Sequence, residues 1–187
     1  MFDMLYAIKK SKSGVTCRMS HVSHGFTLIE LLLSIGVSSI MLLIISVFLS
    51  SLIESRIKNQ TNAEVEQQGI QVMEAITQIA RNAENINTPG QGASAPSLSL
   101  DVIIAGNDPT MFDLASGIIR ITEGAGAPIA LTNARVAASA LIFQNLSFAG
   151  TPGTVRIQFT LTHSNPAGRN EYSFAKTFIG SATLRQP

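Results

Sequence analysis

The sequence predicts an α+β fold: one long N-terminal helix, apolar all round in its first half, whose amphipathic second half packs on an antiparallel sheet. Three observations lead there. Residues 31–53 carry no charge and no proline, and residues 26–86 contain no proline at all. From about residue 97 onward the apolar residues recur every second position instead of every third or fourth.

The uncharged run of residues 31–53 gives about 35 Å of helix at 1.5 Å per residue, against a hydrocarbon core of roughly 30 Å. It is long enough to cross a bilayer once, so residues 26–53 read as a transmembrane helix. The pattern then becomes amphipathic. Val65, Gly69, Val72, Met73, Ile76, Ile79, Ala80, Ala83 and Ile86 fall on one helical face, with Glu, Gln, Asn and Arg between them. Residues 54–86 are therefore predicted to continue the same helix, with one face turned to a core. Glu54 and Lys58 stand four apart in the favourable order where the helix leaves the bilayer. As one rod, residues 26–86 would extend about 90 Å.

Asn87-Thr88-Pro89-Gly90 is expected to stop the rod, because the residue before a proline is driven out of the α region and glycine favours a left-handed exit. Residues 87–96 read as a surface loop. Residues 97–187 read as a C-terminal antiparallel sheet of roughly four to six strands, covered on one face by residues 54–86. Its clearest strands are Leu98, Leu100, Val102 and Ile104; Val155, Ile157, Phe159 and Leu161; and Tyr172, Phe174, Lys176 and Phe178. Residues 117–122, 128–131 and 141–148 are less regular candidates. The segment Ser164-Asn165-Pro166-Ala167-Gly168 reads as the loop of a hairpin.

Of 187 residues, 45% are hydrophobic and 13% charged, with a formal net charge of +1. The charge is unevenly spread, since Lys9, Lys10, Lys12 and Arg18 precede the apolar run and only Asp3 opposes them. Removing residues 1–25 lowers the basic count from 13 to 9 and the acidic count from 12 to 11, a net of −2. No basic stripe remains to neutralise phosphates, so a nucleic-acid partner is not indicated. The basic segment favours retention of the N-terminal side in the cytoplasm, which sends the β-domain outside. Cys17 is the single cysteine, so no disulfide or cysteine-rich metal site can form within the chain.

At the start of the run the sequence reads Ser23-His24-Gly25-Phe26-Thr27-Leu28-Ile29-Glu30-Leu31. It resembles the prepilin signal of type IV pilins and type II secretion pseudopilins. In that signal a glycine precedes an aromatic residue, a glutamate is the fifth mature residue, and a spanning run follows directly. Gly25, Phe26 and Glu30 occupy those positions. The resemblance implies a cleaved basic leader of residues 1–25, cut by prepilin peptidase between Gly25 and Phe26, and methylation of the new amine on Phe26. Glycine suits the cut because it has no Cβ to obstruct an approaching enzyme. The resemblance further implies a filament of pilin or pseudopilin subunits as partners, with the cytoplasmic (inner) membrane as the site of residence before assembly.

Glu30 is costly in a bilayer, on the order of 3 kcal/mol on insertion scales, and such an acid calls for a partner. In a helical filament that partner is the N-terminal amine of Phe26 on a neighbouring subunit, an assembly charge pair. The competing reading has Glu30 solvated at the headgroup level. Ser34, Ser38, Ser39 and Ser46 either bond back to their own helix or let helices approach, with Gly36 and Ser39 as one such contact. Major pilins usually carry a proline near the position of Val47, and none is present here. The chain is in this respect more similar to minor subunits, in particular J-type pseudopilins and PilW-like minor pilins. The segments Ile79-Ala80-Arg81-Asn82-Ala83 and Leu131-Thr132-Asn133-Ala134-Arg135-Val136 share that similarity.

No spacing suggests a catalytic centre, a cofactor or a metal site. His21 and His24 are in the leader and His163 ends a strand. Asp101, Asp108 and Asp113 lack the spacing of a calcium loop and read as solvated turn residues. Gly124 and Gly126 precede no helix with a lysine, so no phosphate cradle is indicated. The expectation is a structural subunit rather than an enzyme, without a small-molecule ligand. The alternatives are a major pilin, or a bitopic membrane enzyme or receptor with an outward β-domain.

Overall fold

A computed structural model describes Gly25 and residues 27–185. The chain divides into two units, Met1–Ser46 and Val47–Pro187. One α-helix, α1, runs through Leu28–Asn82. Among the described residues nine strands follow: β1 (Ala83–Thr88), β2 (Ser94–Ala95), β3 (Leu98–Val102), β4 (Thr110–Ala115), β5 (Ile118–Glu123), β6 (Ile129–Ala130), β7 (Val136–Asn145), β8 (Thr154–His163) and β9 (Ala175–Thr183). A 3₁₀ turn, Asn170–Tyr172, lies between β8 and β9. The fold is α+β, a long N-terminal helix packed on antiparallel sheets.

The large apolar side chains of α1 are exposed throughout the first unit and on to Ile53 in the second. Across residues 28–53 their exposure ranges from 44% at Leu52 to 78% at Leu28, so none is enclosed by the protein itself. In the second unit the helix buries one stripe, Thr61, Val65, Gly69, Val72, Ile76 and Ala80, spaced by three or four residues as a helical face requires.

Three expectations change here. The helix ends at Asn82, not Ile86, and residues 83–88 form β1, paired antiparallel with β3 through Ala83 with Val102 and Ile86 with Leu100. Asn82, Asn85, Asn87 and Thr88 are poor helix formers, and Ala83 and Ile86 satisfy a strand as readily as a helical stripe. Residues 87–96 are not all loop, since β1 reaches Thr88 and β2 pairs with β7, Ser94 with Gln144 and Ala95 with Phe143. Buried Asn145 fastens this segment, its Nδ2 donating to the Pro89 carbonyl at 2.8 Å. Third, the strands make two sheets rather than one, ordered β1-β3-β4-β5-β6 and β2-β7-β8-β9.

The alternation seen in sequence becomes the core. Val155, Ile157, Phe159 and Leu161 are fully buried on β8, as are Leu98 and Leu100 on β3. The β3 alternation stops early: Ile104 lies beyond the strand and is 65% exposed. The last strand also begins later than its pattern suggested, at Ala175, with Tyr172 in the 3₁₀ turn.

Strand β9 runs alongside α1 in the same direction. Lys176 Nζ is 2.6 Å from Glu66 Oε1, the Phe178 ring covers Gly69, Met73 covers Gly180, and the Arg185 amide donates to the Arg81 carbonyl at 2.9 Å. Two glycines thus make the hollows that two side chains fill. A Cβ on Gly69 would stand 2.0 Å from Phe178 Cζ, so something must shift. Gly69→Ala is expected to destabilise the domain by about 1–3 kcal/mol, because overpacking outweighs the ~1 kcal/mol gain in helix propensity. Gly90→Ala, with nothing within 4 Å of the added carbon, should change stability by less than about 0.5 kcal/mol. Chemical denaturation of the full chain in detergent, followed by far-ultraviolet circular dichroism, measures both.

Candidate functional site

The candidate site is the junction of residues 25–30. Gly25 is exposed, and a Cβ there would meet nothing within 4 Å, so the chain itself leaves this backbone open to an enzyme. Phe26, to which cleavage and methylation were assigned, lies outside the described residues, as do residues 1–24 with His21, His24 and Cys17.

Thr27 begins the helix. Its Oγ1 accepts a hydrogen bond from the Glu30 amide at 3.3 Å, and its carbonyl accepts from the Leu31 amide at 3.1 Å. These bonds make Thr27 the N-cap and Glu30 the third helical residue, the Thr-x-x-Glu spacing of a capping box with its Thr half formed. Sequence reading passed over Thr27, although a threonine three residues before a glutamate at the head of an apolar run is a legible helix-start signal. Glu30 is exposed in the first turn of α1, where the unpaired amides of the helix end favour a negative charge by about 0.3–1 kcal/mol. Among the described residues it forms no ion pair within the chain. A capped, accessible carboxylate at the head of an apolar helix is able to receive a cation from outside the chain.

The serine of the proposed Gly36–Ser39 contact bonds to its own helix, Ser39 Oγ donating to the Ile35 carbonyl at 2.8 Å. This is the back-bonding alternative.

The other polar groups considered have local work. Asp113 grips Arg120 through two bonds, at 3.0 and 2.5 Å. The hydrogen bond to Asp113 raises the Arg120 pKa above its ordinary value, with desolvation opposing and the Asp113 charge adding. Asp101 accepts from the Asn87 side chain, and Asp108 Oδ1 accepts from the Val102 amide at 3.3 Å. These aspartates hold strands and turns together. His163, at the end of β8, has Nε2 3.7 Å from Glu64 Oε2 and its ring stacked on Tyr172 at 5.8 Å. Among the described residues, no three His, Cys, Asp or Glu side chains converge to hold a metal ion.

Residues 21–46 match the family model of the prokaryotic N-terminal methylation motif, which covers Gly25, Thr27, Glu30 and the head of α1. No curated protein and no solved structure matches the chain significantly.

Proposed function

We propose that this chain, which carries the prepilin-type N-terminal methylation motif of the type IV pilin and pseudopilin family, is a minor subunit of a type IV pilus, secretion pseudopilus or DNA-uptake pilus. Prepilin peptidase removes residues 1–25 and methylates Phe26. The mature chain waits in the cytoplasmic membrane, with its β-domain outside the cytoplasm, until it is drawn into the filament. Its work is structural rather than catalytic.

The observation that carries this reading is the coincidence, at one helix head, of an open Gly25, a capping Thr27, an accessible Glu30 and an apolar helix exposed on every side. Such a helix needs an apolar medium. Lipid supplies it before assembly, and the helices of neighbouring subunits supply it afterwards. On passing from the first to the second, Glu30 meets the Phe26 amine of a neighbour and both charges are compensated. The minor-subunit assignment is supported by the helix carrying no proline and continuing through Val47.

Intact-mass measurement of the membrane form is expected to find residues 1–25 lost and one methyl group on Phe26. A mass that retains the leader in cells with active prepilin peptidase would overturn the proposal.

A further inference from the structure

The apolar run of α1 ends at Ile53, and Glu54, Arg56 and Lys58 follow within two turns. What stands beside those turns is the loop between β8 and β9. Ser51, Glu54 and Lys58 of α1 face Asn170, Glu171 and Ser173 across a concave region of about 410 Å³. The direction of β9 accounts for this. Because β9 rises along α1, from Lys176 beside Glu66 to Arg185 beside Arg81, the loop that feeds it must lie at the lower end, where the apolar run stops. The β7–β8 loop lies at the other end of β8, with Gly153 packed near Ile86 and Leu184. The ten residues of β8 separate the two loops by about 30 Å.

The β8–β9 loop is also built to hold its shape. Asn165 clamps Arg169 in both directions, its Nδ2 donating to the Arg169 carbonyl at 2.7 Å and its Oδ1 accepting from the Arg169 amide at 3.0 Å. Gly168 takes the left-handed conformation, φ +63°, that closes the turn. The Arg169 guanidinium pairs with Glu171 and stands 5.6 Å from the centre of the Tyr172 ring. The result is a knob with residues 166–170 all exposed, in which small Pro166, Ala167 and Gly168 stand beside polar Arg169 and Asn170.

We propose that this knob is a membrane-surface contact: while the chain is anchored, residues 166–170 rest in the lipid headgroup layer and limit how far α1 sinks into the bilayer. The inference rests on the reading that residues 31–53 span the membrane. A bilayer about 40–45 Å thick including its headgroups leaves several ångströms of polar layer beyond the hydrocarbon. The first turns past Ile53 occupy that layer, and the loop beside them shares it. Interfacial tyrosine and arginine suit such a layer, and the loop's polar backbone and charged pair do not suit the hydrocarbon below it. Contact without insertion is what a depth stop requires.

The test uses the full chain with Cys17→Ser, carrying single spin labels at Val37→Cys, Ala167→Cys or Thr151→Cys. Each is reconstituted at one copy per nanodisc of phosphatidylethanolamine and phosphatidylglycerol. Relaxation by oxygen and by a water-soluble nickel complex then reports depth. The expected result is a lipid-buried label at Val37, a label at the phosphate level at Ala167, and a fully aqueous label at Thr151, with nickel accessibility severalfold lower at Ala167 than at Thr151. If Val37 is aqueous, the spanning reading itself fails and the inference with it. If Val37 is buried but Ala167 is as accessible as Thr151, the spanning reading stands and the headgroup contact is overturned. Protection of Ala167 only when two chains share a disc also overturns it, because the partner is then protein.

Discussion

Gly25→Leu is expected to leave the chain as an uncut precursor that still enters the membrane. Within the chain the substitution is free of cost, since Gly25 is exposed and a Cβ meets nothing within 4 Å. It lies outside both the helix and the spanning run, so neither folding nor insertion changes. The added side chain obstructs only an enzyme that grips this backbone. Gly25→Ala, with a single methyl, should be cut more slowly but detectably. An immunoblot that resolves precursor from mature chain, run on membrane fractions, reads both quantities. Normal cleavage of Gly25→Leu would move the processing site elsewhere.

Glu30→Gln is expected to be cut, methylated and held in the membrane at normal levels, yet to lose co-assembly with the other filament subunits by more than tenfold. The N-cap geometry makes this substitution decisive. Glutamine serves at the third position of a capping box as glutamate does, so a role confined to starting the helix would survive it. A role in receiving the Phe26 amine would not. The amine would enter an apolar bundle unpaired, at a cost of several kcal/mol, and each 1.4 kcal/mol is a factor of ten in association. Glu30→Asp keeps the charge at shorter reach and should recover part of the assembly. Thr27→Ala supplies the converse control, because it removes about 1 kcal/mol of capping and leaves the charge, so assembly should largely persist. Pull-down with the partner subunits beside a cleavage blot separates the cases. Normal co-assembly of Glu30→Gln would end the charge-pair idea without touching the cleavage argument.

The parts of this fold that were legible in the sequence are those written in local periodicity. The buried stripe from Val65 to Ala80 and the β8 core of Val155, Ile157, Phe159 and Leu161 obey simple repeats of 3.6 and 2. The end of α1 was not legible by that means, because Ala83 and Ile86 fit both repeats and only pairing with β3 decides between them. Strand β4 shows the same limit. Thr110 and Phe112 turn inward, but this alternation is too short to stand out beside Asp108 and Asp113, which read as solvated turn residues. The division into two sheets depends on which strand edges meet, and no short window of sequence records that. At the candidate site Gly25, Phe26 and Glu30 were assigned through the resemblance to the prepilin signal, whereas the capping role of Thr27 was readable and missed. The fit of Phe178 over Gly69 joins residues so far apart that only the folded chain reveals it.

That long reach sets a timetable. The bond from Lys176 to Glu66 spans 110 residues of sequence, so the helix segment emerges long before the strand that clasps it. At about 5–20 residues per second of synthesis, Glu66 and the hollow at Gly69 wait on the order of 5–20 s for Lys176 and Phe178 of β9. Until then that side of the helix lacks the ring that fills it, and contacts of such wide separation form slowly once they can form. The half-made chain is therefore most open to proteases and to stray association during translation, and that is the interval in which a holding chaperone would change its yield.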